Sequence, residues 1–294
     1  MEKKNEMSEA LMIRPKEHDL GDFVVRRLLP VAARRMVGPF IFFDHMGPAD
    51  FQPGHAVDVR PHPHIGLATI TFLFEGQILH RDSLGSEQTI DPGDLNWMIA
   101  GSGIVHSERV TSNVRENGQK LHGLQLWIAL PADHEEGRPE FFHHPAADLP
   151  KGGEDGASWT LIAGSAFGAT SPAKTFSPMA YLEIKLAAGA CFALPEGITE
   201  KAVYLISGDI EIDCQMLLPG EMAAWADGET LTIMAREESH LVMIGGEPFP
   251  EPRFIYWNFV SSSKERLEKA KEDWKAGNFP KVPGDEKEFI PLPD

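Results

Sequence analysis

Between Gly21 and Leu130 the chain runs in short β-forming stretches, and glycine or proline recurs at nearly every break. Phe40-Ile41-Phe42-Phe43 is one; Ala68-Thr69-Ile70-Thr71-Phe72-Leu73-Phe74 is another, closed by Glu75-Gly76. Gly123-Leu124-Gln125-Leu126-Trp127-Ile128-Ala129-Leu130 is a third, stopped by Pro131. Short strands at such regular spacing predict an antiparallel sandwich or barrel. A second block of the same texture follows, with Tyr181 to Leu186, Ala202 to Ile206 before Ser207-Gly208, and Leu241 to Ile244 before Gly245-Gly246.

Two echoes link the blocks. The strand ending at Glu75-Gly76 matches the one ending at Ser207-Gly208, and Ile90-Asp91-Pro92-Gly93-Asp94 matches Leu217-Leu218-Pro219-Gly220-Glu221. One barrel duplicated in tandem would give this pattern. The length of 294 residues suits two domains, and a hydrophobic content of 42% is ample for two cores. We therefore expect an all-β chain: a first domain over 1–132, an inter-domain crossing over the polar, proline-rich 133–156, a second domain over 157–260, and a helix and tail over 261–294. The tail helix is read from Lys264 to Ala276, with Ser262 and Glu265 at capping-box spacing, Gly277 just past its end, and Leu267, Ala270 and Trp274 on its apolar face.

Charge and cysteine usage exclude several classes. A formal net charge of −17 repels a phosphate backbone and disfavours direct nucleic-acid binding, though not a protein partner. Cys191 and Cys214 form neither a disulfide framework nor a thiolate zinc motif, and are expected to be buried and reduced. No apolar run reaches membrane-spanning length, and Met1 to Glu6 has none of the apolar run of a secretory signal, so a soluble, cytoplasmic protein is expected.

The chemistry concentrates in two short motifs. In His62-Pro63-His64, alternate residues of a strand place two imidazoles on one face about 7 Å apart along the chain. In His106-Ser107-Glu108 the same spacing joins an imidazole to a carboxylate. If the two strands are neighbours, three nitrogens and one oxygen converge, a set that suits Fe2+, Mn2+, Ni2+ or Zn2+. Carrying the same parity onward aims Ala68, Ile70 and Phe72 inward as an apolar pocket for an aromatic ligand, with Gln125 and Trp127 as further wall residues. His45, His55, His80 and His122 are read as structural, with a supporting role open to one of them. His143 and His144 point oppositely if they lie on a strand.

These segments carry a resemblance. Arg60-Pro61-His62-Pro63-His64-Ile65-Gly66, Leu79-His80-Arg81-Asp82-Ser83-Leu84-Gly85, Pro92-Gly93-Asp94-Leu95-Asn96-Trp97-Met98, Gly101 through Glu108 and His122 through Trp127 resemble the pirin family of the cupin superfamily. Gly38-Pro39-Phe40 leading to Phe43-Asp44-His45 resembles that family's entry segment. The resemblance implies two tandem cupin barrels with one mononuclear iron site, carried here by His62, His64, His106 and Glu108. It also implies either quercetin 2,3-dioxygenase activity, the ring-opening of a flavonol with release of carbon monoxide, or an iron-dependent regulatory role exerted through a protein partner. Many cupins place a glutamate three or four residues after the His-x-His pair. Ala68 stands there in this chain, so proton transfer falls to Glu108 or to a bound water. The second barrel places Leu194 and Glu196 where His62 and His64 stand, and is expected to be structural and metal-free.

Overall fold

The strands form where the sequence predicts them, and their turns repeat from one half of the chain to the other. In the computed structural model, which describes residues 10–19, 23–226, 228 and 230–293, the strand Leu67–Glu75 is followed by a Pro-Gly turn whose Gly93 donates its N–H to the Leu73 carbonyl at 2.8 Å. The strand Glu200–Ser207 is followed by the second Pro-Gly turn, whose Gly220 donates to the Leu205 carbonyl at the same 2.8 Å. The expected N-terminal signal-free segment, Met1 to Glu6, lies outside the described residues.

The chain divides into two compact units, each assembled from separated stretches. One comprises the described residues up to Lys16 together with Pro30–Phe40 and Leu149–Pro248; the other comprises those of Glu17–Leu29, Ile41–Asp148 and Phe249–Asp294. Each holds a large antiparallel sheet and a four-stranded one. In the unit with the histidine motifs, the seven-stranded sheet runs in the order Glu140–His144, Leu95–Ile99, Leu67–Glu75, Gln119–Ala129, Phe40–Phe51, Val24–Leu29, Lys16–Asp19. Its four-stranded partner runs Val59–His64, Ile104–Arg109, Ile78–Asp82, Glu87–Ile90. Val25, Met46, Leu73 and Leu121 from the first sheet pack on Ile78 and Ile90 from the second, so the two sheets enclose one core.

The other unit repeats this plan. Met222–Trp225, Glu200–Ser207, Ser239–Gly246, Met179–Leu186 and Ala157–Ala166 lie side by side, and Cys191–Ala193, Thr232–Ala235, Ile210–Ile212 and Gln215–Leu217 make the small sheet. Its interior is an apolar cluster that includes Leu194, Leu205 and Trp225. Both cysteines are free and exposed, which corrects the expectation of burial: Cys191 lies on the outermost strand of the small sheet, and Cys214 in a tight turn with φ +68°.

The predicted crossing contributes structure to the histidine-bearing unit. Glu140–His144 pairs with Leu95–Ile99 as an edge strand. Glu135, buried, accepts from Ser261 Oγ at 3.0 Å, Ser262 N at 2.9 Å and Ser262 Oγ at 2.6 Å. The tail helix is observed over Lys264–Ala276, capped by Ser263 rather than Ser262: Ser263 Oγ accepts from Arg266 N at 3.2 Å. Gly277 closes it in left-handed conformation, and Leu267 and Ala270 pack against Ile65 and Phe259. Beyond it the tail is tied to the ligand-bearing strands. Arg109 is bound by Asp285 at 2.9 Å and Glu288 at 2.7 Å, and Ile290 donates to the Pro61 carbonyl at 2.9 Å. Among the described residues no helix is long and apolar enough to cross a membrane.

Candidate metal centre

The strand Val59–His64 ends with the His-x-His pair and lies antiparallel to Ile104–Arg109, with His62 directly opposite His106. Period-two alternation puts His62 and His64 on one face, and the pairing brings His106 to them. One ring nitrogen from each of the three histidines lies within 4.8 Å of the others, and all three residues are buried. His64 Nε2 and His106 Nε2 are 3.1 Å apart. Two imidazoles bound at right angles to one ion at metal–nitrogen distances of ~2.1 Å would have nitrogens about 3.0 Å apart. The spacing already present is therefore that of two adjacent ligands, and the histidine group has the donors and the spacing to hold a metal ion.

Protonation favours the same role. His62 is lowered from its ordinary 6.5 to about 4, chiefly by burial, against the raising effect of its hydrogen bond to Arg60. His64 and His106 are held well below 6.5 by burial first and by the neighbouring His62 next. All three imidazoles are thus neutral at pH 7, as a metal ligand must be. His62 Nδ1 donates to the Arg60 carbonyl at 2.9 Å, which fixes its tautomer and leaves Nε2 with its lone pair.

Glu108 lies two residues beyond His106 but stands apart from the three-histidine group. Its carboxylate reaches across to the large sheet, where Oε1 accepts from Gln125 Nε2 at 3.0 Å and from Thr71 Oγ1 at 3.3 Å. Burial pushes its carboxyl above the ordinary carboxylate range, while His80, Gln125 and Thr71 oppose that shift. Both hydrogen bonds fall on Oε1, so Oε2 is the oxygen left for a cation or a proton.

Of the expected wall residues, Gln125 contacts Glu108, and the Trp127 ring lies 5.1 Å from that of His64, stacked on Phe42 at 3.9 Å. Ala68, Ile70 and Phe72 do not join them. Thr71 is the residue that touches Glu108, so odd-numbered Thr69 and Thr71 share the inner face, and Ala68, Ile70 and Phe72 are buried on the opposite one. The expectation fails because parity is not carried through the turn at Ile65-Gly66: Leu67–Glu75 lies in the large sheet, whereas the histidine strand lies in the small one. The wall near Glu108 is consequently more polar than predicted. The register Thr71 with Asn96 and Thr69 with Met98 puts Met98, not Trp97, on this face.

His45 and His122 face each other at 2.7 Å between Nε2 atoms, with Arg26 at 3.3 Å from His45. His143 contacts Asn96 at 2.7 Å. His80 is different, lying beside His106 with ring centroids 5.3 Å apart. The spacing His80-Arg81-Asp82 on a strand, another alternate pair, is the sequence signal that marks it.

A family model described as Pirin matches residues 22–128, and one described as the pirin C-terminal cupin domain matches residues 181–280. The chain belongs to the pirin family. A pirin-like protein of Caulobacter vibrioides is 52% identical over 287 residues, covering 97% of this chain and 99% of that protein. Pirin of Homo sapiens is 33% identical over 260 residues, covering 85% of this chain and 86% of its own length. Among solved structures, a quercetin 2,3-dioxygenase from Acinetobacter baumannii matches with a TM-score of 0.90 and 32% identity, over 97% of this chain and 95% of that one. The fold is accordingly two cupin-type antiparallel β-barrels followed by a helix.

Proposed function

We propose that this pirin is an iron-dependent dioxygenase that opens the ring of flavonol-like phenols, with Fe2+ held by His62, His64, His106 and Glu108. The observation that carries the reading is the buried, neutral three-histidine group with its 3.1 Å nitrogen spacing, one member of which, His106, shares its strand with the buried carboxylate of Glu108. The likeness to a quercetin 2,3-dioxygenase at 32% identity supports the choice of substrate class. When bound, the metal would supply a Lewis-acidic centre for a phenolic oxygen and for dioxygen.

The chain's own residues supply the rest. Neutral imidazoles add no charge of their own, so Glu108 is the anionic member of the ligand set. Thr71 and Gln125 hold its Oε1, which keeps the carboxylate from turning. Oε2, which takes neither of these hydrogen bonds, is the atom through which Glu108 would hold the metal or take the proton of a substrate hydroxyl. Trp127, stacked on Phe42, offers an aromatic wall beside His64 against which a planar phenol can lie.

The test is anaerobic loading with Fe2+ followed by admission of air in the presence of quercetin, with loss of flavonol absorbance and release of carbon monoxide as readouts. The wild type should turn over, and His62→Ala and His106→Ala should each lose metal and activity together. Activity that persists in both variants overturns the assignment. Stoichiometric iron binding without turnover would instead favour a metal-dependent regulatory role through a protein partner.

A further inference from the structure

Beside the three histidines runs a second set of buried polar contacts that the proposed reaction does not use. His80 Nδ1 lies 3.4 Å from His106 Nδ1, and His80 Nε2 lies 3.1 Å from Asp82 Oδ2. The other carboxylate oxygen, Asp82 Oδ1, accepts from the backbone N–H groups of Leu84 at 2.8 Å and Ser86 at 3.0 Å. Asp82 is fully buried and His80 is 4% exposed. The His80 ring is stacked on Phe141 at 4.3 Å and 11°, so it cannot turn freely. The strand register sets the pair directly across from the ligand strand, Asp82 against His106 and His80 against Glu108.

We propose that Asp82 and His80 are positioning residues that lock His106 in the tautomer whose Nε2 is free to bind the metal. This rests on the metal-centre reading above. The hydrogen-bonding roles follow one from the next. Asp82 Oδ1 is taken by two backbone N–H groups and Oδ2 faces His80 Nε2 at 3.1 Å, so Oδ2 is the acceptor for the imidazole. His80 Nε2 then donates to it, which leaves His80 Nδ1 as the ring atom that can accept from His106. His106 Nδ1 must in turn donate to it, and His106 Nε2 is left with a lone pair, 3.1 Å from His64 Nε2. A histidine ligand oriented by a second histidine that is itself held by a carboxylate loses no affinity to the wrong tautomer or to ring rotation.

Three full-length variants test the pair, with nickel(II) as the probe, titrated against a competing chelator at pH 7.5, and with thermal melting of the metal-free proteins to establish that each folds. His80→Phe keeps a ring on Phe141 and removes both hydrogen bonds; nickel affinity should fall by about 10–100-fold. His80→Gln can accept from His106 with Oε1 and donate to Asp82 with Nε2, and should recover affinity to within a few-fold of wild type. Asp82→Asn can keep its backbone contacts through Oδ1 but presents an NH2 group to His80, reversing every donor and acceptor along the chain; affinity should fall by about tenfold or more. If His80→Phe or Asp82→Asn binds nickel as wild type does, or His80→Gln is as weak as His80→Phe, the positioning role is refuted. Should His80→Phe fail to fold, Asp82→Asn alone decides, being isosteric. A wild type that binds no nickel refutes the metal centre itself, an outcome distinct from any failure of the pair.

Discussion

Glu108 is the residue where stability and function pull in opposite directions. Its carboxylate is buried, held by only two hydrogen bonds, and raised in pKa by that burial. A group whose folded pKa lies above its unfolded value stabilises the fold below the unfolded pKa and loses that contribution as pH rises through the folded one. In the metal-free protein at neutral pH, Glu108 is therefore a cost. Glu108→Gln can keep the contacts to Thr71 and Gln125 at its Oε1 while removing the charge. The metal-free variant should melt a few degrees above wild type at pH 8, while its affinity for nickel or iron should fall at least tenfold. A variant with lower melting temperature and undiminished affinity would show that Glu108 is no ligand.

The histidines carry the complementary dependence. His62 titrates at about 4 in the folded chain and near 6.5 unfolded, so between those values the unfolded state binds more protons. The stabilisation is fully present above about pH 6.5 and is lost as pH falls through about 4; His64 and His106 act in the same direction. From His62 alone the loss is on the order of 3 kcal/mol. Denaturant midpoints of the metal-free protein should therefore fall steeply between pH 6.5 and 4, and His62→Gln should flatten that slope. An unchanged slope would mean that His62 is not the buried neutral base the geometry makes it.

At the scale of the element, what the sequence makes legible depends on whether the argument stays inside one strand. His62 with His64, and His106 with Glu108, are alternate residues of single strands, and their common faces survive in the fold. Ala68, Ile70 and Phe72 required the same count to pass through Gly66, where the chain changes sheets, and there it failed. His80 and Asp82 are again an alternate pair on one strand, but their importance lies in a neighbour 24 and 26 residues away in sequence, which no local pattern shows. The strand Glu140–His144 was hidden because its polar, proline-rich flanks read as linker, and an edge strand needs only one paired neighbour. The tail helix was legible from its terminal residues, displaced by one at its cap because Ser261-Ser262-Ser263 offers three equivalent hydroxyls.

The turn that defeated the parity count is itself a site of constraint. Gly66 has φ +68°, and a Cβ there would lie 1.9 Å from the Val260 carbonyl oxygen. Its own carbonyl accepts from Leu130 N and its N–H donates to the Gly101 carbonyl, so the backbone has little freedom to yield. Gly66→Ala should cost more than about 1–3 kcal/mol, the range for a left-handed non-glycine residue before any clash is counted. Because His64 is two residues away, metal affinity should fall with stability. Paired measurement of the denaturation midpoint and nickel affinity checks both; a variant normal in each would mean that the hairpin of Phe259–Ser261 can move aside.

At the scale of the whole chain, the duplicated strand plan makes the difference between the two interiors informative. Gly93 and Gly220 close equivalent turns by equivalent hydrogen bonds, so the two copies share a backbone scheme. One interior is packed with Leu194, Leu205 and Trp225; the other holds three neutral imidazoles and a buried carboxylate. A ligand that binds only the folded state stabilises it by about 2.7 kcal/mol at a free concentration a hundred times Kd. That stabilisation should register first where the ligands are anchored. Segment-resolved hydrogen exchange, compared with and without nickel(II), should show added protection in Val59–His64, Ile78–Asp82 and Ile104–Arg109, and in Leu67–Glu75 and Gln119–Ala129 through Thr71 and Gln125. Sub-global opening of Met179–Leu186 and Glu200–Ser207, whose cluster offers the metal nothing, should be unchanged. Protection gained in those two strands but not in the histidine strands would place the binding site in the other barrel and remove the basis for every metal-dependent expectation made for this pirin.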